Sequence, residues 1–253
     1  MIKFIKNSAA VFLRDIKTLV IGDLHIGYEI ELWKSGISVP FQTKIFLEDI
    51  KLLIERTKAE RIVLNGDIKH KIASFYPKEK KMIKEFLENL QKIVKVEIVH
   101  GNHDGGIEKI TKIPIYSSKG FSIGKYGFFH GHAWPSPNLM KCDWLIMNHL
   151  HPAVYLRIDG IKKVERVFVV SKLNKEKIKE KYRIEKTGKL KILILPTFNN
   201  FIRGIDIFSE ESRSLSPIVR KPFFDQEEAK IYTINGNFLG NWKKIKKLRK
   251  LLS

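Results

Sequence analysis

Apolar and polar positions alternate along the first half of the chain in two different rhythms. Residues 18–22 (TLVIG) form a short apolar run that predicts a buried strand. Across residues 43–58 the apolar side chains fall at Ile45, Phe46, Ile50, Leu53 and Ile54, the three-and-four spacing of one helix face. Residues 61–64 (RIVL) predict a second strand. A proline then opens a helical pattern over 77–93, with Met82, Phe86, Leu87 and Leu90 on one side. Residues 94–99 predict a third strand. Strand and helix in this alternation imply a sheet with helical crossovers.

The second half favours strands. Residues 121–123 and 128–129 flank a turn containing glycine, and 144–147 read as a buried strand. The runs 154–158 and 161–170, joined by Asp159-Gly160, carry a hairpin signal. Residues 190–195 and 231–234 predict further strands, the latter ending in Asn235-Gly236. No internal repeat interrupts this order.

Composition narrows the class. Of 253 residues, 43% are hydrophobic and 29% charged, enough apolar content for a sizeable core in a globular chain. Lys and Arg number 47 against 27 Asp and Glu, a net charge of +20 that draws the protein to polyanions. Two segments concentrate that charge: an expected basic insertion at about 171–191, with nine basic and three acidic residues, and a basic C-terminal tail at about 242–253. Each reads either as a solvated lysine-rich face or as a contact for nucleic acid phosphates. The single cysteine, Cys142, rules out an internal disulfide and points to a reducing, cytoplasmic setting. The apolar stretch 9–13 meets Arg14 and Asp15 at once, too short for a secretory signal, and no run approaches the roughly 18 apolar residues of a membrane helix.

The candidate chemistry sits just after the apolar runs. The first ends Gly22-Asp23-Leu24-His25, the second Asn65-Gly66-Asp67, and the third His100-Gly101-Asn102-His103-Asp104. Later come His130-Gly131-His132 and Asn148-His149-Leu150-His151. Taken singly, a Gly-Asp is an ordinary turn and a His-x-His an ordinary polar edge. Five strand ends in succession, each bearing carboxylate, imidazole or amide, are not ordinary. Open α/β sheets deliver their chemistry at the carboxyl ends of strands. Oxygen and imidazole donors without thiolate suit Mn²⁺, Fe²⁺, Zn²⁺ or Ni²⁺, and one carboxylate can bridge two such ions.

These motifs, in this order from Asp23 to Pro152, resemble those of the calcineurin-like metallophosphoesterases. A finer likeness, to archaeal phosphoesterases related to the nuclease subunit of double-strand-break repair complexes and to bacterial ligase-associated DNA endonucleases, rests on three stretches. They are Gly22-Asp23-Leu24-His25-Ile26-Gly27-Tyr28-Glu29, Ser35-Gly36-Ile37-x-Val39-Pro40-x-Gln42 and Gly66-Asp67-Ile68-Lys69-His70. The resemblance implies a two-sheet β-sandwich flanked by helices, a four-layer α/β/β/α domain covering residues 1–253. It implies two divalent ions, Mn²⁺ foremost. Asp23, His25 and His151 would hold one, and Asn102, His130 and His149 the other, with Asp67 between them. His103 matches the family's catalytic histidine. His70 and His132 are further candidates for substrate contact, and His100 reads as structural.

Two departures qualify the likeness. Asn148 stands where the family commonly has glycine; asparagine's tolerance of unusual backbone angles is expected to preserve that turn. Asp67 is followed by Ile68-Lys69-His70 and not Arg-Gly, which disfavours the protein Ser/Thr phosphatase branch. The leading expectation is a two-metal phosphodiesterase acting on DNA, with DNA-repair proteins as partners. A small-molecule phosphodiesterase or phosphomonoesterase, for example on cyclic nucleotides, and a non-enzymatic scaffold are the competing readings.

Overall fold

The computed structural model describes residues 1–72, 74–158 and 161–252. The first sheet is built from β1 (Ile2–Phe4), β2 (Val11–Leu13), β3 (Thr18–Ile21), β4 (Arg61–Asn65), β5 (Lys95–Val99) and β6 (Ile115–Tyr116), paired in that order. Short connections make β1, β2 and β3 antiparallel, and longer ones make β3 to β6 parallel. The crossover from β3 to β4 carries α1 (Tyr28–Lys34) and α2 (Gln42–Thr57); that from β4 to β5 carries α3 (Pro77–Gln91). Glu29 joins the two helices of the first crossover, accepting from the Gly27 and Gln42 amides at 3.1 Å each.

The second sheet contains β7 (Phe121–Ile123), β8 (Tyr126–Phe129), β9 (Trp144–Met147), β10 (Pro152–Ile158), β11 (Ile161–Lys172), β12 (Lys191–Ile194), β13 (Ile205–Asp206), β14 (Lys230–Thr233) and β15 (Phe238–Asn241). Its order is β13-β10-β11-β12-β9-β8-β7, with β14 joining β11 to β15. Three helices accompany it: α4 (Lys175–Tyr182), α5 (Glu210–Ser214) and α6 (Trp242–Leu252).

Period-two alternation explains why both faces of the central strands are apolar. Along β4, Ile62 and Leu64 pack outward with Phe46, Ile50, Ile83 and Phe86 of the helices, while Val63 faces the other sheet. Along β12, Ile192 and Ile194 face outward, and Leu193 meets Val63, Val99, Phe128 and Phe168 between the sheets. The result is three stacked cores between four layers, the helix-sheet-sheet-helix sandwich expected from the sequence.

The expected elements are present with shifted ends. Gly22 lies just past the end of β3, and a Cβ there would overlap the Asn148 side chain. The strand expected at 94–99 begins at Lys95, and the helix expected at 77–93 ends at Gln91. The strands of the predicted hairpin pair as expected, whereas Asp159-Gly160 lie outside the described residues. The segment 171–191 includes the end of β11 and holds α4, whose Ile178 is fully buried; the expected basic tail is the helix α6. Cys142 is a buried core residue. No helix among the described residues is long and apolar enough to cross a membrane.

Candidate metal centre

All the singled-out polar residues leave the carboxyl ends of parallel strands that face one another across the sandwich. Asp23 and His25 follow β3, Asp67 follows β4, and Asn102 and His103 follow β5. From the opposite sheet, His130 follows β8, and His149 and His151 follow β9. The first two loops continue the pairing of their strands, the Asp23 amide donating to Gly66 O at 3.0 Å and the His25 amide to Asp67 O at 2.9 Å.

The backbone is strained here. Asp23, His25, Asp67, His149 and His151 have φ of 57°, 44°, 53°, 72° and 42°. Non-glycine residues rarely adopt this region, and its concentration in one place marks a functional site. Two glycines allow the loops to close. Gly66 has φ 90°, and a Cβ on it would overlap His130 Nδ1; a Cβ on Gly101 would overlap the Asp67 amide and carboxylate.

The donors fall into two groups that share Asp67: Asp23, His25, Asp67 and His151, and Asp67, His130 and His149. In the first, His25 Nε2 and His151 Nε2 lie 3.3 Å apart, with Asp23 Oδ1 3.4 Å from His151 and Asp67 Oδ2 3.8 Å from His25. In the second, Asp67 Oδ2 and Asn102 Oδ1 are each 3.2 Å from His130 Nε2. A single oxygen, Oδ2, therefore faces both groups, while Oδ1 accepts the His103 amide at 2.9 Å.

This donor set fits divalent cations. Two ring nitrogens 3.3 Å apart can share at most one proton, whereas a cation satisfies both nitrogens and both carboxylates at once. Burial drives His25 down to about 3, and burial with the charge of His130 drives His149 down to about 4, so both present neutral rings. Burial alone would also lower His130, but Asp67 and then Asp23 outweigh it and hold it up at about 9. Burial opposes ionisation of both carboxylates; His130 keeps Asp67 well below the ordinary range, and His151 keeps Asp23 low. His130 therefore carries a proton while the centre holds no cation, and a metal must displace it; neutral imidazoles beside ionised carboxylates are the state that binds a metal.

Hydrogen bonds behind the donors fix which nitrogen points inward. His130 Nδ1 donates to Asn65 O at 2.9 Å, which leaves Nε2 for the centre. His149 Nε2 lies 3.3 Å from Leu215 O, so that its proton belongs there and Nδ1 is the free donor. His103 Nδ1 donates to His70 O, leaving Nε2 exposed towards the cluster, 3.8 Å from Asp67 Oδ2.

Three residues that sequence reasoning did not place among the site residues hold this arrangement. Asn65 donates to Asn148 Oδ1 at 3.0 Å, and Asn148 in turn donates to Asp23 Oδ2 at 3.1 Å. Asn148 was expected to serve through tolerance of an unusual backbone angle. The left-handed residue is instead His149, and Asn148 acts through its buried amide side chain. Asp104, fully buried, accepts from the amides of Ile68 at 2.8 Å, Lys69 at 3.2 Å and Gly101 at 2.8 Å, clamping the β4 loop to the β5 loop.

Asp104→Ala strands three buried N–H groups at roughly 1–3 kcal/mol each before relaxation. The expected outcome is a loss of about 3 kcal/mol in urea unfolding of the metal-free protein, together with weakened metal retention. A stability within experimental error of the wild type would show that the clamp is not needed.

His70 and His132 flank the centre on opposite sides. The His70 ring lies 5.5 Å from that of His25 and stacks 5.9 Å from that of His103; His132 lies 5.4 Å from His130 and 5.8 Å from His149. Each has a buried Nδ1 without a hydrogen-bond partner, and burial holds His132 down at about 4. His25, His70 and His103 also form a third group of converging ring nitrogens.

The family model for calcineurin-like phosphoesterases matches residues 16–245, and the chain belongs to that family. It is accordingly a metal-dependent hydrolase of phosphoric esters. Among solved structures, the nuclease MPE of Pseudomonas putida is similar in fold at 16% identity, with a TM-score of 0.55 over 93% of this chain and 98% of that one. The E. coli phosphoesterase YfcE matches at 15% identity and a TM-score of 0.41, over 88% and 96% of the two chains. No curated protein sequence matches the chain significantly.

Proposed function

We propose that this protein is a two-metal phosphodiesterase that cleaves nucleic acid, DNA in the first place. The observation that carries the reading is the pair of donor groups sharing Asp67 Oδ2. Asp23, His25, Asp67 and His151 would hold one ion, and Asp67, Asn102, His130 and His149 the other. The absence of thiolate favours Mn²⁺, with Fe²⁺, Zn²⁺ and Ni²⁺ as substitutes. Bound there, such ions would supply charge at the phosphoryl oxygens and acidify an attacking water.

The chain's own residues do the rest. Asp67 and Asp23 contribute two negative charges, fewer than two dications bring, so the loaded centre is attractive to a phosphate. His103 presents Nε2 at the rim, where a proton can pass to the leaving oxygen. His70 holds that ring by its carbonyl, and His132 borders the second ion position where substrate would enter. The whole chain acts as one domain in a reducing, cytoplasmic setting.

A diester of nucleic acid is favoured over a small ester by the charge of +20 and by the fold shared with a nuclease. Hydrolysis of single-stranded, double-stranded and gapped DNA with Mn²⁺, compared with bis-p-nitrophenyl phosphate and p-nitrophenyl phosphate, tests the assignment. Cleavage of DNA that chelation abolishes is the expected result. Turnover of the small esters with every DNA left intact would overturn the nuclease reading and keep the phosphoesterase.

A further inference from the structure

We infer that α6, together with Lys221, is the surface on which the protein binds the phosphate backbone of a nucleic acid duplex. Its role as the path to the metal centre rests on the proposed nuclease function; the binding itself is argued from charge and placement.

The helix carries six Lys or Arg residues and no acid over Trp242–Leu252. It is anchored to the fold. Trp242 and Ile245 are 7% and 3% exposed within the outer core of the second sheet, and Trp242 packs 4.4 Å from the Phe208 ring. Lys243, Lys244, Lys246 and Lys247 are exposed. Lys243, Lys246 and Lys247 border, with Lys221, a cavity of about 350 Å³ whose lining includes one acid, Glu227.

Pairing separates this helix from the other basic segment. In α4, Lys177 pairs with Glu180 at 2.8 Å and Lys179 with Glu176 at 3.1 Å, while Lys181 lies over the Trp134 ring. In α6, Arg249 pairs with Asp206 at 2.7 Å. No described carboxylate lies within ion-pair distance of Lys221, Lys243, Lys246 or Lys247. Like charges three and four residues apart destabilise a helix. A polyanion laid along them turns the same spacing into attraction.

The helix is tied to the strand that borders one of the proposed ligands. Arg249 holds Asp206 of β13, and the neighbouring Ile205 amide donates to His151 O at 2.8 Å. One ion pair and one short strand thus separate the helix from a proposed metal ligand.

The partner chemistry follows from the face that is left. Both apolar anchors already serve the protein core, which disfavours a lipid surface. Four lysines exceed what one small phosphate ester neutralises. Lysine heads are compact, hydrated charges without a planar fork, suited to contact with a regular phosphate array and not to reading bases.

The test is a K221Q/K243Q/K246Q/K247Q variant, with DNA duplex binding followed by fluorescence anisotropy across salt concentrations. Each lost phosphate contact flattens the log–log salt slope by about 0.9, so loss of all four changes it by about 3.6. Metal content and hydrolysis of bis-p-nitrophenyl phosphate should remain at wild-type levels. A K177Q/K179Q variant in α4 should keep the wild-type slope. An unchanged slope in the α6 variant overturns the inference, as does loss of binding to anionic lipid vesicles without loss of DNA binding. Wild-type protein that binds duplex with the expected slope but cuts no DNA supports the surface and overturns only the nuclease reading.

Discussion

Asp67→Asn should empty both metal positions and bring turnover below detection. The carboxylate is 2% exposed, and its two oxygens have separate duties. Oδ1 accepts the His103 amide at 2.9 Å, and Oδ2 faces His130 Nε2 at 3.2 Å and His25 Nε2 at 3.8 Å. Asparagine cannot meet both. With its oxygen on the His103 amide, its NH₂ points at the positions meant for cations. Rotated, its NH₂ opposes the His103 N–H, leaving a buried donor facing a donor, itself a cost of about 1–3 kcal/mol. The variant also removes the only charge shared by the two donor groups. Elemental analysis of the purified variant, with hydrolysis of bis-p-nitrophenyl phosphate measured alongside, checks the expectation. Two ions per chain and a wild-type rate would sink the bridging role; loss of one ion alone would confine Asp67 to one position.

The same residue shows what the sequence makes legible and where legibility stops. Asp23, Asp67, Asn102, His130, His149 and His151 each follow an apolar run closely, and a strand end is where an α/β sheet exposes its loops. Their types and positions were therefore readable, and the structure brings them together. That Oδ2 alone faces both donor groups was not readable, because it follows from the His103 amide capturing Oδ1 across two loops. The left-handed backbone at four of these residues, and at His25, was equally hidden. Glycine and asparagine advertise such angles most plainly in a sequence, and here aspartate and histidine adopt them under constraint from paired loops.

Residues that act behind the donors left weaker signals. Asn65 closes a strand and Asp104 closes a motif, so each looks like an ordinary terminus until its partners are known. Asn148 was legible as a departure from the family's glycine, but its reason was not. The amide reaches Asp23 from the opposite sheet, a contact between positions 125 residues apart. In the fold, the long apolar strands and the two amphipathic crossover helices were plain. Edge elements such as β1, β6 and β13 have two or three residues, too few to establish a period. For α6 the lysine run masked the helix, since Trp242 and Ile245 are its two well-buried anchors. Charge that looked equivalent in the two basic segments proved different once ion pairing was visible, because i,i+3 acids pair with Lys177 and Lys179 of α4, whereas in α6 only Arg249 has a described acidic partner.

His103→Ala should separate chemistry from metal binding. The ring is tied at Nδ1 to the His70 carbonyl, and Nε2 lies 3.8 Å from Asp67 Oδ2. Its side chain is 19% exposed, against 0–4% for His130, Asp23, Asp67 and His25 and 15% for His151, so it lies on the open side of the cluster with His151. Neither nitrogen is needed to complete either proposed donor set, so the variant should retain its metals. A group that supplies a proton or hydrogen bond as the P–O bond breaks contributes roughly 10²–10⁴-fold in rate. The loss should appear in kcat and kcat/KM together, as expected for an interaction made only in the transition state. It should also depend on the leaving group. Nitrophenolate departs with little assistance, whereas a nucleoside alkoxide requires a proton, so the variant should be impaired far more on DNA than on bis-p-nitrophenyl phosphate. Elemental analysis first establishes that the ions remain; rates on the two substrates then decide the role. Equal losses on both would show that His103 positions the phosphate, and loss of metal would place it among the ligands.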